Sequence, residues 1–326
     1  MPEMRLVEAL RETLREEMRR DERVFVMGED VIAATFKTTA YLVDEFGVER
    51  VRNTPISESA FVGTAIGAAM TGMRPVVEMM LSAFVYVAMD QFVQNAAKIH
   101  HMFDGKYKVP VTFICPFASG GQQGAQHAEC PYPKFMNSPG LKVIIPSNPY
   151  SVKGLLKSAI RDDNPVMVFI HWDTFRLSGD VPEDDYLVPL GQASIVRKGT
   201  DATIVATGAM VAKAISVATD LERKGVSIEV VDPQSLVPLD RETILASVKK
   251  TGRLIIVDES YITCGFASEI SAVVAEEALD YLDAPIKRVA SLDVPVPVSP
   301  PMEKFVLPNE ERILKALYEV LPGIPG

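Results

Sequence analysis

The chain has only three cysteines, Cys115, Cys130 and Cys264, an odd number without CxxC spacing. That excludes a disulfide scaffold and a zinc knuckle, and it fits a reducing compartment. The four histidines have no metal-ligand spacing between them. Basic residues are the minority, 33 against 43 acidic, for a net charge of −10. With no Lys/Arg block as well, nucleic-acid binding is excluded. Long apolar runs are missing: the best, around 60–73 and 202–218, are short or broken by residues such as Lys213, so no membrane span is expected. The first twenty residues alternate Glu and Arg, unlike a secretory or transit peptide. No GxSxG, P-loop or GxGxxG occurs. The expectation is a cytoplasmic, soluble protein.

The 48% apolar and 23% charged residues over 326 positions suit a folded chain of two ordinary domains. Apolar positions recur at helical spacing in 4–20 (Val7, Leu10, Leu14, Met18), followed by the strand-like VFVMGED. The alternation continues: a small-residue helix over 59–72, PVVEMM, a helix near 86–102, VPVTFICP, LKVIIP, a helix near 149–161, PVMVFIH. Short apolar runs between amphipathic helices predict an α/β fold whose mainly parallel sheet is covered on both faces. Residues 172–191 break the rhythm and read as a linker, after which a second α/β series begins. Strands are expected at 202–208, 226–232 and 253–260, with helices to about 223, at 240–250 and at 266–280. The proline-rich VPVPVSPP should wrap the surface. The expected division is 1–180 and 181–326.

Sheets of this kind bind ligands beyond the carboxyl ends of their strands. Two segments lie there. In NTPISESAFVGTAIGAAM, Ser57 could cap a helix starting near Ser59, leaving Glu58 at its entrance. On spacing alone, Glu58 either complements the helix dipole or serves chemistry. Gly63 and Gly67 indicate close approach to a neighbouring element or another subunit. In FASGGQQGAQHAECPYP, the glycines match no phosphate motif, and a flexible loop delivering His127 to a pocket is the better reading.

These segments, with RPVVE, VAMDQFVQNAAK, AQHAEC, PGLKVIIPSNPYSVKGLLKSAIRDDNP, VDPQSLVPLD, LDAP and DVPVPVSPPME, resemble the beta subunits of thiamine-diphosphate-dependent 2-oxo acid dehydrogenases, over nearly the whole chain. That resemblance implies a pyrimidine-binding domain followed by a transketolase-type C-terminal domain. It also implies an alpha2-beta2 assembly in which the alpha subunit holds the diphosphate and Mg2+ through a GDG…N motif. No GDG occurs in this sequence, so the chain resembles one half of a cofactor site, inactive alone.

The resemblance makes Glu58 the carboxyl that bonds the cofactor's aminopyrimidine nitrogen, and it must hold a proton near neutral pH, which burial favours. Ile56 and Phe84 fall beside the same ring, and His127 matches a histidine that assists acyl transfer to a lipoyl group. AIRDDNP resembles a monovalent-cation loop, with Val111, Ala159, Ile160, Asp162 and Asn164 as potassium ligands. Asp162 and Asn164 could equally form a helix-terminating turn. Asp283 in LDAP matches a docking position for the acyltransferase's basic subunit-binding domain. HAE for the more usual HSQ, Ile114 for Arg, and the WDTFR segment leave the substrate open. Alternatives are an acetoin dehydrogenase beta chain, the C-terminal half of a split transketolase, or a scaffold without chemistry.

Overall fold

The computed structural model describes residues 3–117 and 120–321. They form two compact units. The first contains residues 3–117 and 134–190; the second contains 120–133 and 191–321.

The first unit opens with β1 (Glu3–Arg5) and α1 (Leu6–Arg20). Leu6, Leu10, Leu14 and Met18 are buried at four-residue spacing, which gives α1 one apolar face; Val7 packs at its margin. Then follow β2 (Val24–Gly28), α2 (Leu42–Phe46), β3 (Val51–Asn53), α3 (Glu58–Met70), β4 (Arg74–Glu78), α4 (Ile99–Met102) and β5 (Thr112–Phe117). After the short helix α5 (Tyr132–Met136), whose first two residues belong to the second unit, come β6 (Lys142–Ile144), α6 (Pro149–Arg161), β7 (Val166–His171) and β8 (Ser178–Asp180). Six strands of this unit pair in parallel in the order β6-β7-β5-β4-β2-β3. Their apolar runs are continuous because both faces of the sheet are covered. β1 and β8 form a separate antiparallel ribbon.

Two expectations change here. The helix expected near 86–102 is broken into a 3-10 turn over Ser82–Ala88, a π-helix over Gln91–Ala96, and α4. The π-helix packs on α3, where a Cβ on Gly63 would stand 3.1 Å from the Gln91 Oε1. Gly63 thus serves intrachain packing, whereas Gly67 faces open space. The second change concerns 181–190, which packs with the first unit, so the units divide ten residues beyond the expected point. Val188 sits on Gly154 of α6, where a Cβ would come within 2.5 Å of its side chain. Lys157 holds Asp185 at 2.7 Å, and Lys153 donates to the Pro182 carbonyl at 3.2 Å.

The second unit comprises β9 (Ser194–Arg197), β10 (Ala202–Ala206), α7 (Ala209–Glu222), β11 (Ile228–Asp232), β12 (Ser235–Val237), α8 (Arg241–Thr251), β13 (Leu254–Tyr261) and α9 (Phe266–Glu277). It closes with β14 (Lys287–Ser291), α10 (Pro300–Val306) and α11 (Glu310–Val320). Five strands pair as β14-β13-β10-β11-β9, parallel except for β9 at one edge. Helices α7 and α11 supply a common apolar layer through Ala214, Ala218, Ile313 and Leu317, all fully buried.

Candidate active site

β2, β3 and β4 end level with one another: Gly28 pairs with Asn53 on one side and with Glu78 on the other. A Cβ on Gly28 would lie 2.4 Å from the Glu78 carbonyl oxygen, so only glycine permits this closeness. Three acids therefore leave adjacent strand ends. Glu29 follows β2, Glu78 ends β4, and Glu58 opens the helix after β3.

Glu58 is 7% exposed, in the first turn of α3. The helix begins one residue earlier than expected. Ser57 occupies the N-cap position but makes no side-chain capping bond. Ser59 instead donates to the Val87 carbonyl at 2.6 Å, tying the start of α3 to the 3-10 turn that carries Phe84. Phe84 is half-buried, while Ile56 is 83% exposed and so is not a core residue of this chain. An apolar side chain presented two residues before a buried carboxyl suits a flat, partly apolar ligand.

Glu29 and Glu78 are functional candidates that sequence reasoning missed. Burial pushes the Glu29 carboxyl up, and the charges of Glu58 and then Asp30 add to the effect. Its Oε1 is buried and has no hydrogen-bond partner among the described residues. Glu78 is buried, and burial raises it to about 7 against the opposing hydrogen bond from Thr38, whose hydroxyl donates at 2.7 Å. The MGED ending of the first predicted strand was the available signal for Glu29, because acids at a strand's carboxyl end face the ligand edge.

His127 lies in the second unit, half-buried, with its backbone N–H on the Gly124 carbonyl at 3.2 Å. His171, at the end of β7, is 1% exposed and accepts the Asp173 N–H at 3.0 Å through Nδ1, a capping role. His100 Nδ1 meets the Tyr107 carbonyl at 2.8 Å in a local turn.

The 159–164 turn is already served by protein cations. Arg74 donates from Nη1 to the carbonyls of Ile160 (3.0 Å) and Asp162 (2.9 Å), and from Nη2 to Asp163 (2.6 Å). Lys142 binds the Asp162 carboxylate, which also accepts the backbone and side-chain N–H of Asn164 at 2.8 and 2.9 Å. Burial works against the charge of Asp162, yet these donors hold its carboxyl below the usual range. The Val111 carbonyl accepts the Val166 N–H at 3.0 Å, and the Ala159 carbonyl accepts that of Asp162 at 3.2 Å. Protein cations thus already meet oxygens of Ile160 and Asp162, two of the five residues expected to hold potassium.

Asp283 is exposed at the turn after the 3-10 segment Leu279–Tyr281, loosely paired with Arg253 at 3.6 Å. A concavity of about 660 Å³ on the second unit, lined among others by Lys287, Arg288, Lys304 and Arg312, includes none of the expected site residues.

Comparison with known proteins agrees with this layout. Residues 2–176 match the transketolase pyrimidine-binding domain, and 191–313 match the transketolase C-terminal domain. The chain is 42% identical to the acetoin:2,6-dichlorophenolindophenol oxidoreductase subunit beta of Bacillus subtilis, over 96% of each chain. It is 42% identical to the 2-oxoisovalerate dehydrogenase subunit beta of the same organism, over 98% of this chain and 99% of the other. Identity to the pyruvate dehydrogenase E1 component subunit beta of Rhizobium meliloti is 43%, over 98% of this chain and 70% of the other. A solved structure described as a split gene transketolase, inactive beta4 tetramer, superposes with a TM-score of 0.80 at 24% identity, over 98% of each chain, which supports the fold.

Proposed function

Since this chain belongs to the beta subunits of the pyruvate, 2-oxoisovalerate and acetoin dehydrogenases, we propose that it supplies the pyrimidine-binding half of a thiamine-diphosphate site completed by an alpha subunit. The observation that carries this reading is the acidic recess at the strand ends. Glu29 Oε1 is buried beside Glu58 and lacks a partner among the described residues, so the recess has an unused acceptor that an outside donor would satisfy. Ile56, 83% exposed, offers apolar surface to a ring seated there.

Thiamine diphosphate, when bound, supplies a carbon nucleophile made by its own amino group acting as base. Glu58 would hold a proton on its carboxyl against the pyrimidine nitrogen and so favour the tautomer in which that amino group is basic. Ile56 and Phe84 would orient the ring and keep water from it. His127 would hold or deliver a proton as the acyl group passes to the lipoyl arm of an acyltransferase. Magnesium would bind with the diphosphate on the alpha subunit. Asp283, flanked by the exposed Leu279 and Tyr281 (61% and 52%), offers an acidic, partly apolar contact to the acyltransferase's basic docking domain.

The test is Glu58→Gln in the complex reconstituted with its alpha subunit. Turnover should fall by about two to four orders of magnitude while the assembly still elutes intact. Near-normal turnover would remove Glu58 from the chemistry. Assaying the unsubstituted complex on pyruvate, a branched 2-oxo acid and acetoin separates the substrates of the three relatives.

A further inference from the structure

Residues 120–133, which carry His127, pack with the second unit, and three contacts fix them there. The Gln122 N–H donates to Glu303 Oε1 at 3.0 Å. Gly124, at φ +74°, rests on Val298, so close that an added Cβ would stand 3.0 Å from its methyl. It also closes a turn by accepting the N–H groups of His127 and Ala128 at 3.2 and 3.0 Å. The third contact is the deepest. Tyr132 is 0% exposed, and its hydroxyl donates to Asp258, itself 0% exposed, on β13.

Asp258 is a hub. It accepts the Ser260 N–H at 3.1 Å, the Ser260 hydroxyl, and the Ala267 N–H of α9 at 3.3 Å, while the Ser260 N–H also reaches the Tyr132 oxygen at 3.2 Å. A carboxylate this deep is costly unless every lone pair is used, so the tyrosine hydroxyl is held in place by the burial itself. Pro131 and Pro133 flank Tyr132 and narrow the backbone conformations of both prolines and of the residues before them. Only four residues separate His127 from this fixed point, and three of them, Ala128, Cys130 and Pro131, are buried.

We propose that the Tyr132–Asp258 hydrogen bond sets where the His127 imidazole stands, making Tyr132 a positioning residue for the acyl-transfer step. This rests on the reading of His127 given above. The Tyr132 hydroxyl touches no reacting atom; it acts by removing the freedom of the segment between itself and His127.

The experiment uses Tyr132→Phe, which keeps the buried ring, and Asp258→Asn, which alters the other side of the same bond, both in the complete alpha-beta complex. Histidine modification by diethyl pyrocarbonate is followed by peptide mass spectrometry, with the exposed His100 and His101 as internal standards. In both variants the rate at His127 should rise about fivefold or more while the two standards do not move. Lipoyl acylation by Tyr132→Phe should fall about tenfold in kcat with KM held. Adding His127→Ala should abolish the difference in acylation between the Tyr132→Phe variant and the unsubstituted background. An unchanged modification rate at His127 in Tyr132→Phe overturns the anchor, whatever the activity. A fully active His127→Ala enzyme overturns instead the role given to His127, and the modification rates then still decide the anchor.

Discussion

Glu78 is the residue whose behaviour is most directly set by where the chain puts it. A carboxyl lifted from 4.5 to about 7 binds more protons in the folded than in the unfolded state between those values. Stability from this group is therefore greatest below its unfolded pKa and declines as pH rises through the folded one. The loss amounts to roughly 3 kcal/mol by pH 8. Glu78→Gln keeps an acceptor for the Thr38 hydroxyl and has no charge to bury. The variant should therefore melt close to the unsubstituted protein at pH 5 and above it at pH 8. Equal melting temperatures at both values would show that water reaches the carboxyl. Glu58 was readable as a candidate because it follows a strand and opens a helix, but Glu29 and Glu78 were not singled out. Their burial is created by the pairing of β2 with β4 and by the loop that brings Thr38 back over the sheet, and nothing local to either residue encodes that.

Elements whose signals are local were legible. Helix α6 runs over the expected 149–161 because Asn148 caps it, accepting the Ser151 N–H at 2.9 Å, and Pro149 starts it. Eight strands of the two sheets, β2, β4, β5, β6, β7, β10, β11 and β13, were visible as apolar runs. By contrast, β3, β9 and β14 were missed, since VRN, SIVR and KRVAS lack runs of their own and are strands through their pairing with β2, β11 and β13. The broken 82–102 region reads as one helix until the small face of α3 is packed against it. The 159–164 turn shows the same limit, because Arg74 reaches it from 88 residues away in sequence. With Arg74 and Lys142 in place, replacing sodium by potassium should leave the melting temperature unchanged. Arg74→Ala, which strands the Ile160 and Asp162 carbonyls, should cost about 2 kcal/mol and make stability sensitive to potassium. A potassium-dependent melt of the unsubstituted protein would mean that the ion displaces the guanidinium.

For the molecule as a whole, the two transketolase-type domains and the missing GDG motif argue for a partner. Affinity purification from native lysate should bring down a stoichiometric chain bearing GDG…N, together with a lipoyl acyltransferase. Recovery of this chain alone, as a stable self-assembly without thiamine diphosphate, would favour a scaffold instead.

The backbone passes between the two units three times, leaving the first after Phe117, returning at Lys134 and leaving again after Leu190. For anyone recombining such chains, the units are therefore not separable cassettes. A hybrid spliced at 190 would inherit its histidine segment from one parent and its aspartate anchor from the other. A workable exchange has to take residues 118–133 along with the C-terminal half, as two grafts instead of one.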